Sequence, residues 1–158
     1  MLVVWAGGLL LADLFIPRET KGLTALLAAF GLVIAQCFSL AWIDGEHLAF
    51  NGMVVVDGFA IFLTLVFLSS GLVGVALVYD YLNQRGIECG EYYLLLLFSI
   101  NGMIMMVMAA DLIVVFLTLE LLSIPLYVLA GFTLPESQSE EAYLKYFLLG
   151  AFAGGFLV

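Results

Sequence analysis

The sequence predicts an all-α protein, a polytopic membrane bundle of about six spans in this fragment, and three observations carry that prediction. Hydrophobic residues fill 65% of the 158 positions, and the mean hydropathy is +1.22. Charged residues account for 11%, against about 25% in soluble domains. Apolar runs near twenty residues long, enough to cross roughly 30 Å of hydrocarbon at 1.5 Å per residue, recur six times. The net charge of −9, with four Lys and Arg in all, argues against a nucleic-acid partner, which needs clustered basic residues. The expected surroundings are a lipid bilayer.

On that length criterion the spans fall at about 1–16, 22–43, 57–80, 92–110, 112–131 and 142–158, all in one membrane domain. The chain opens at Met1 and closes at Val158 inside apolar runs, so a piece of a longer polytopic protein is expected. No basic segment precedes the first run, and no secretory signal is expected. Pro17 and Gly22 frame a tight first loop that carries Arg18 and Lys21. The second loop holds the turn dipeptides Asp44-Gly45 and Asn51-Gly52, with His47 alone between them. Asp57 heads the third span, where an acid favours a helix N-terminus. Arg85 lies in the third loop, and Asp111 alone separates spans four and five, which forces an antiparallel helical hairpin. Basic residues therefore gather in the odd loops. By the rule that Lys and Arg stay cytoplasmic, the N-terminus is expected outside.

Within the spans, Asn101 reads as polar glue between helices and Gly102 as a point of close backbone approach. Tyr79, Tyr81, Tyr92 and Tyr93 stand at span ends, as an aromatic belt would. The run Met103, Met105, Met106 and Met108 reads as adaptable packing rather than a metal site. Cys37 and Cys89 read as lone thiols. Gly150 and Gly154, with Ala151 and Gly155, permit close helix packing within this protein. No haem, iron–sulfur, nucleotide or Ser/His/Asp pattern occurs, so any redox chemistry must belong to partners.

The residue that apolar packing cannot explain is Glu120, in the middle of DLIVVFLTLELLSIPLYVLAGF. An ionisable residue at mid-bilayer costs roughly 2.5–3.5 kcal/mol on insertion scales. Pro125 follows five residues later; it removes a backbone donor and crowds the carbonyl of Leu121, so a bend is expected there. A carboxylate poised between desolvation and a nearby cation can load and release a proton, which is the reading adopted for Glu120. The competing reading is an acid that hydrogen-bonds a neighbouring helix and never titrates. Lys145, in EEAYLKYFLLGAF, is the one basic residue outside the loops. It reads either as a second proton site or as a lysine that snorkels to the cytoplasmic edge. Upright neighbouring helices would put it about 10 Å from Glu120 in depth, a distance for a water relay rather than an ion pair. Glu140 and Glu141 read as dipole partners at the head of the sixth span.

At LTLELLSIPLYVLAGF and EAYLKYFLLGAFAGGFL the sequence resembles the antiporter-like membrane subunits of respiratory complex I, most of all the subunit N type. The resemblance extends back through DGFAIFLTLVFLSSG and Asp80-Tyr81. It implies the N-terminal part of a proton-translocating subunit of NADH–quinone oxidoreductase, with about fourteen helices and two inverted five-helix repeats. The family's fifth-span glutamate corresponds to Glu120 and its sixth-span lysine to Lys145; its seventh-span lysine would lie beyond Val158. The resemblance also implies that NADH, FMN, Fe–S clusters and quinone sit on partner subunits. It implies no cofactor in this chain, other membrane subunits as neighbours, and a bacterial plasma membrane location. Two other readings compete: a subunit of a multisubunit Mrp-type cation/proton antiporter, and a structural scaffold with Glu120 as glue between helices.

Overall fold

The computed structural model describes residues 2–15, 22–42, 47–85, 90–132 and 137–157. Along them run six helices: α1 (Leu2–Phe15), α2 (Gly22–Leu40), α3 (Gly58–Arg85), α4 (Glu91–Val107), α5 (Leu112–Ala130) and α6 (Ser137–Leu157). Two short strands, β1 (His47–Ala49) and β2 (Val54–Val56), lie between α2 and α3. α2, α3 and α5 are long and apolar enough to cross a membrane, and α1 and α4 are apolar but shorter. α6 opens with the polar run Ser-Gln-Ser-Glu-Glu, which lowers its hydropathy although it is 21 residues long.

The core is built around α4. Leu97 and Ile100 on α4, Leu32 on α2 and Leu68 on α3 are almost fully buried together. α1 closes the same core through Leu2, Ala6 and Leu9. Its Trp5 ring fills the space that Gly31 leaves by having no side chain, and Nε1 donates to the Leu27 carbonyl at 3.1 Å. At the other end of α1, Asp13 accepts a 2.8 Å hydrogen bond from Thr24 Oγ1 and lies against Gly90, at the head of α4. One carboxylate thus ties together the ends of three helices.

The joins between helices follow from single residues. Asp57 Oδ1 accepts from the Ala60 amide at 2.7 Å, capping α3 as an acid at that position should. Asp111 Oδ1 does the same for α5 through the Ile113 amide at 2.8 Å. With so short a turn, α5 doubles back along α4. Gly102 meets the α5 backbone so closely that a Cβ there would lie 2.6 Å from Leu122 N. The expected close approach is present.

The all-α reading holds, and several finer expectations need correction. Within the connection between α2 and α3, β1 and β2 pair antiparallel, His47 with Val56 and Ala49 with Val54. His47 thus sits on a strand rather than in a loop. The turn between them runs through Phe50, Asn51 and Gly52 at φ 51°, 55° and 86°; only glycine takes the last without strain. The helix α3 runs on beyond the expected span 57–80 to Arg85, and α6 opens at Ser137, ahead of the expected span 142–158; polar residues can extend a helix outside hydrocarbon. Tyr79 and Tyr81 are exposed, in keeping with a belt. Tyr93, however, is only 3% exposed, and Tyr92 packs edge-on against Phe132. Asn101 is buried, yet its Nδ2 has no hydrogen-bond partner among the described residues, so it is not the expected glue. Met103 and Met108 pack against the core, and Cys37 is exposed. Pro17, Arg18, Lys21, Asp44-Gly45 and Cys89 lie outside the described residues, as do the side chains of Arg85 and Glu140.

Candidate functional site between the fifth and sixth helices

Glu120 stands near the middle of α5, ten residues before Ala130, or about 15 Å along the axis. Because α5 is apolar on all sides, its sequence periodicity does not choose a face for the acid. Packing does. Glu120 Oε1 lies against Gly154 of α6, where a Cβ would come within 2.7 Å of it, and Phe116 borders the same point. Among the described residues the carboxylate makes no hydrogen bond and no ion pair. Thr118, two residues earlier, turns its hydroxyl onto the Val114 and Val115 carbonyls at 2.8 and 3.0 Å and so does not serve it. α5 remains helical across Pro125, whose ring is buried; lacking an N–H, it leaves the Leu121 carbonyl without its usual donor.

Tyr127 follows Glu120 by seven residues, two helical turns, and therefore shares its face. It is only 6% exposed, and its hydroxyl occupies the space beside Gly150. Tyr146 and Phe147 of α6 meet its ring edge-on, with centroids 5.0 and 5.9 Å away. Two glycines one turn apart on α6 thus receive a carboxylate and a phenol from α5. Both polar groups fit because neither glycine carries a side chain. Sequence reasoning did not place Tyr127 on the same helical face as Glu120; the spacing of seven was the available signal. It also missed Asp13, a carboxylate placed among three helix ends.

Lys145 is elsewhere. Its Nζ pairs with Glu141 Oε1 at 2.5 Å, and both side chains are largely exposed. At about 100° per residue, Lys145 points roughly opposite to Gly150 and Gly154 on α6. Nine residues separate it from Gly154, about 13.5 Å along the axis of α6. The structure does not bring Glu120 and Lys145 together. Glu141 stands inside α6 and binds a side chain instead of complementing the helix dipole.

The seam between α5 and α6 falls within residues 109–158, which match the family described as NADH:quinone oxidoreductase/Mrp antiporter, TM. Over 159 aligned residues the chain is 48% identical to NADH-quinone oxidoreductase subunit N of Chloroflexus aggregans, covering 100% of this chain and 32% of that protein. It is 44% identical to NADH-quinone oxidoreductase subunit N 2 of Roseiflexus castenholzii, over 98% of this chain and 31% of the relative. A chain in the structure of respiratory complex I from Thermus thermophilus with bound aureothin superposes with a TM-score of 0.82 at 34% identity, over 98% of this chain and 33% of that one. The chain spans about a third of the length of these relatives. Over nearly its whole length it is similar to the subunit N proteins of NADH–quinone oxidoreductase, and its residues 109–158 match the antiporter-like membrane family.

Proposed function

We propose that this chain forms the N-terminal part of a proton-translocating membrane subunit of NADH–quinone oxidoreductase, in which Glu120 takes up and releases a proton. The observation that carries the reading is the placement of Glu120: a carboxylate halfway along an apolar helix, against a glycine, with no partner among the described residues. A structural acid would be expected to hydrogen-bond a neighbouring helix, since an unpaired polar group in hydrocarbon is costly. The Tyr127 hydroxyl, one turn of α6 away beside Gly150, offers the next polar group along the seam. Lys145 belongs to a later step, on the opposite face of α6. There its charge, held by Glu141, answers to whatever packs beyond.

In this reading electron transfer from NADH to quinone, and the FMN and Fe–S centres that conduct it, reside on partner subunits. This chain supplies proton movement in the bacterial plasma membrane, beside other antiporter-like subunits. The N-terminus faces outside, a placement supported by Arg18, Lys21 and Arg85 in the odd loops. The 48% and 44% identical relatives are named as subunits of NADH-quinone oxidoreductase, which supports this reading over the Mrp-type antiporter.

The test uses Glu120→Gln in the full-length subunit, within assembled complex in inverted membrane vesicles. NADH oxidation is recorded beside NADH-driven quenching of a pH-sensitive dye. The proposal expects quenching to fall sharply while the complex remains assembled. If both signals match wild type, Glu120 is a packing residue and the proton role fails.

A further inference from the structure

We propose that Ser123 and Tyr127 relay protons to Glu120 through one bridging water, along a polar stripe that runs from the middle of α5 toward its Ala130 end. This path rests on the proton reading of Glu120 and gives it residues and a direction. Spacings of three and four place Glu120, Ser123 and Tyr127 on one face of a helix. Apart from Thr118, they are the only polar side chains of α5. The stripe faces α6, since Glu120 lies against Gly154 and Tyr127 against Gly150.

Position along the seam sets the separations. Gly150 and Gly154 are four residues apart, so the Tyr127 hydroxyl stands about 6 Å from the Glu120 carboxylate along the axis. A long helical side chain leans toward the N-terminus of its helix. That brings the Tyr127 hydroxyl back to the level of Ser123, which follows Glu120 by about 4.5 Å along α5. Two hydrogen bonds of about 2.8 Å span about 5.6 Å. One water therefore fits between carboxylate and phenol, with Ser123 Oγ as its third partner; a buried water takes two to four.

The three groups are free to serve it. Ser69 and Thr118 spend their hydroxyls on the Leu65 and Val114 carbonyls of their own helices, each at 2.8 Å. Among the described residues Glu120, Ser123 and Tyr127 make no hydrogen bond. The Tyr127 ring is held edge-on by Tyr146 and Phe147, and Tyr143 stands beyond it against Gly131. Residues 95–107 of α4 and 147–157 of α6 include no titratable side chain that could compete for Glu120. A hydroxyl donates and accepts at one oxygen, as passing a proton on requires. In one concerted shift Glu120 takes a proton from the water and the water takes one from the Tyr127 hydroxyl. A hydronium ion from the aqueous phase at the Ala130 end then refills the hydroxyl, so each O–H bond broken is matched by one formed.

The experiment puts Tyr127→Phe and Ser123→Ala into the full-length subunit, in assembled complex in inverted vesicles, beside Glu120→Gln. Dye quenching per NADH oxidised is recorded in ordinary and heavy water. Tyr127→Phe keeps the ring contacts and removes the relay, so quenching per NADH should fall roughly tenfold and its solvent isotope effect should rise. Ser123→Ala should lower quenching by less, and Ser123→Thr, which keeps the hydroxyl, should match wild type. So should Thr118→Val, about 200° around α5 from Glu120. If Glu120→Gln lowers quenching while both hydroxyl variants match wild type, the relay is overturned and the role of Glu120 stands. If Glu120→Gln is silent, the relay falls with that role. An equal loss in Thr118→Val also overturns the relay, because the effect is then one of packing. If Tyr127→Phe does not assemble, the two Ser123 variants decide: a loss in Ser123→Ala alone supports the relay, and equal values overturn it.

Discussion

α5 packs on two neighbours in two different ways. Toward α4 it meets Gly102 with its own backbone at Leu122, and the turn between them is capped by Asp111. Toward α6 it meets Gly150 and Gly154 with the ends of side chains, the Tyr127 hydroxyl and the Glu120 carboxylate. Both contacts use glycine, for opposite ends. A backbone cannot yield, so the α4 contact sets where α5 stands. A carboxylate on a flexible side chain can turn, so the α6 contact leaves its group room to move. The same residue type makes one interface rigid and the other adjustable.

Substitutions can break or sharpen that contrast. The largest effect is expected at Gly102→Ala, where a Cβ would meet backbone. Overpacking of this kind costs about 1–3 kcal/mol, read as a lower thermal midpoint and reduced assembly of the complex. Asp111→Ala removes the cap from the same hairpin and should cost about 1 kcal/mol, measured in the same way. Gly154→Ala is the informative counterpart. Glu120 must leave its position, at about 0.5–1.5 kcal/mol for a displaced rotamer, with assembly retained and dye quenching reduced relative to NADH oxidation. Equal loss of stability at Gly102→Ala and Gly154→Ala would erase the distinction between the two interfaces. The smallest effect belongs to Glu141→Gln. It frees Lys145 from an exposed pair worth about 0.3–0.5 kcal/mol, so the thermal midpoint should scarcely move.

The apolar runs made the helices legible, and turn chemistry located several of their ends: Asp57 and Asp111 cap as an acid before a helix should. The strands were not legible. Three residues on each side of Phe50–Gly52 are too few for an alternating pattern, and Asn51-Gly52 signalled only the turn. Glu120 stood out because a charge in hydrocarbon is conspicuous in any sequence. Its surroundings did not, because a helix apolar on every face does not say which face is buried. Lys145 shows the reverse limit. Its charge was as visible as that of Glu120, but the face it occupies on α6 depends on where Gly150 and Gly154 meet α5, and that contact is not written in the sequence. Asn101 was unreadable for a third reason: whether a polar side chain is satisfied depends on neighbours from other helices.

The short hairpin has a mechanical consequence. The Val55 amide donates to the Met108 carbonyl at 2.8 Å, and the Ala110 amide donates to the Met53 carbonyl at 2.9 Å. β2 therefore clamps the corner where α4 becomes α5, while its own chain continues directly into α3. The start of α3 and the start of α5 are levers on one fulcrum. A push on the segment between α2 and α3 would reach the start of α3 through the chain and the start of α5, the helix that carries Glu120, through these two hydrogen bonds.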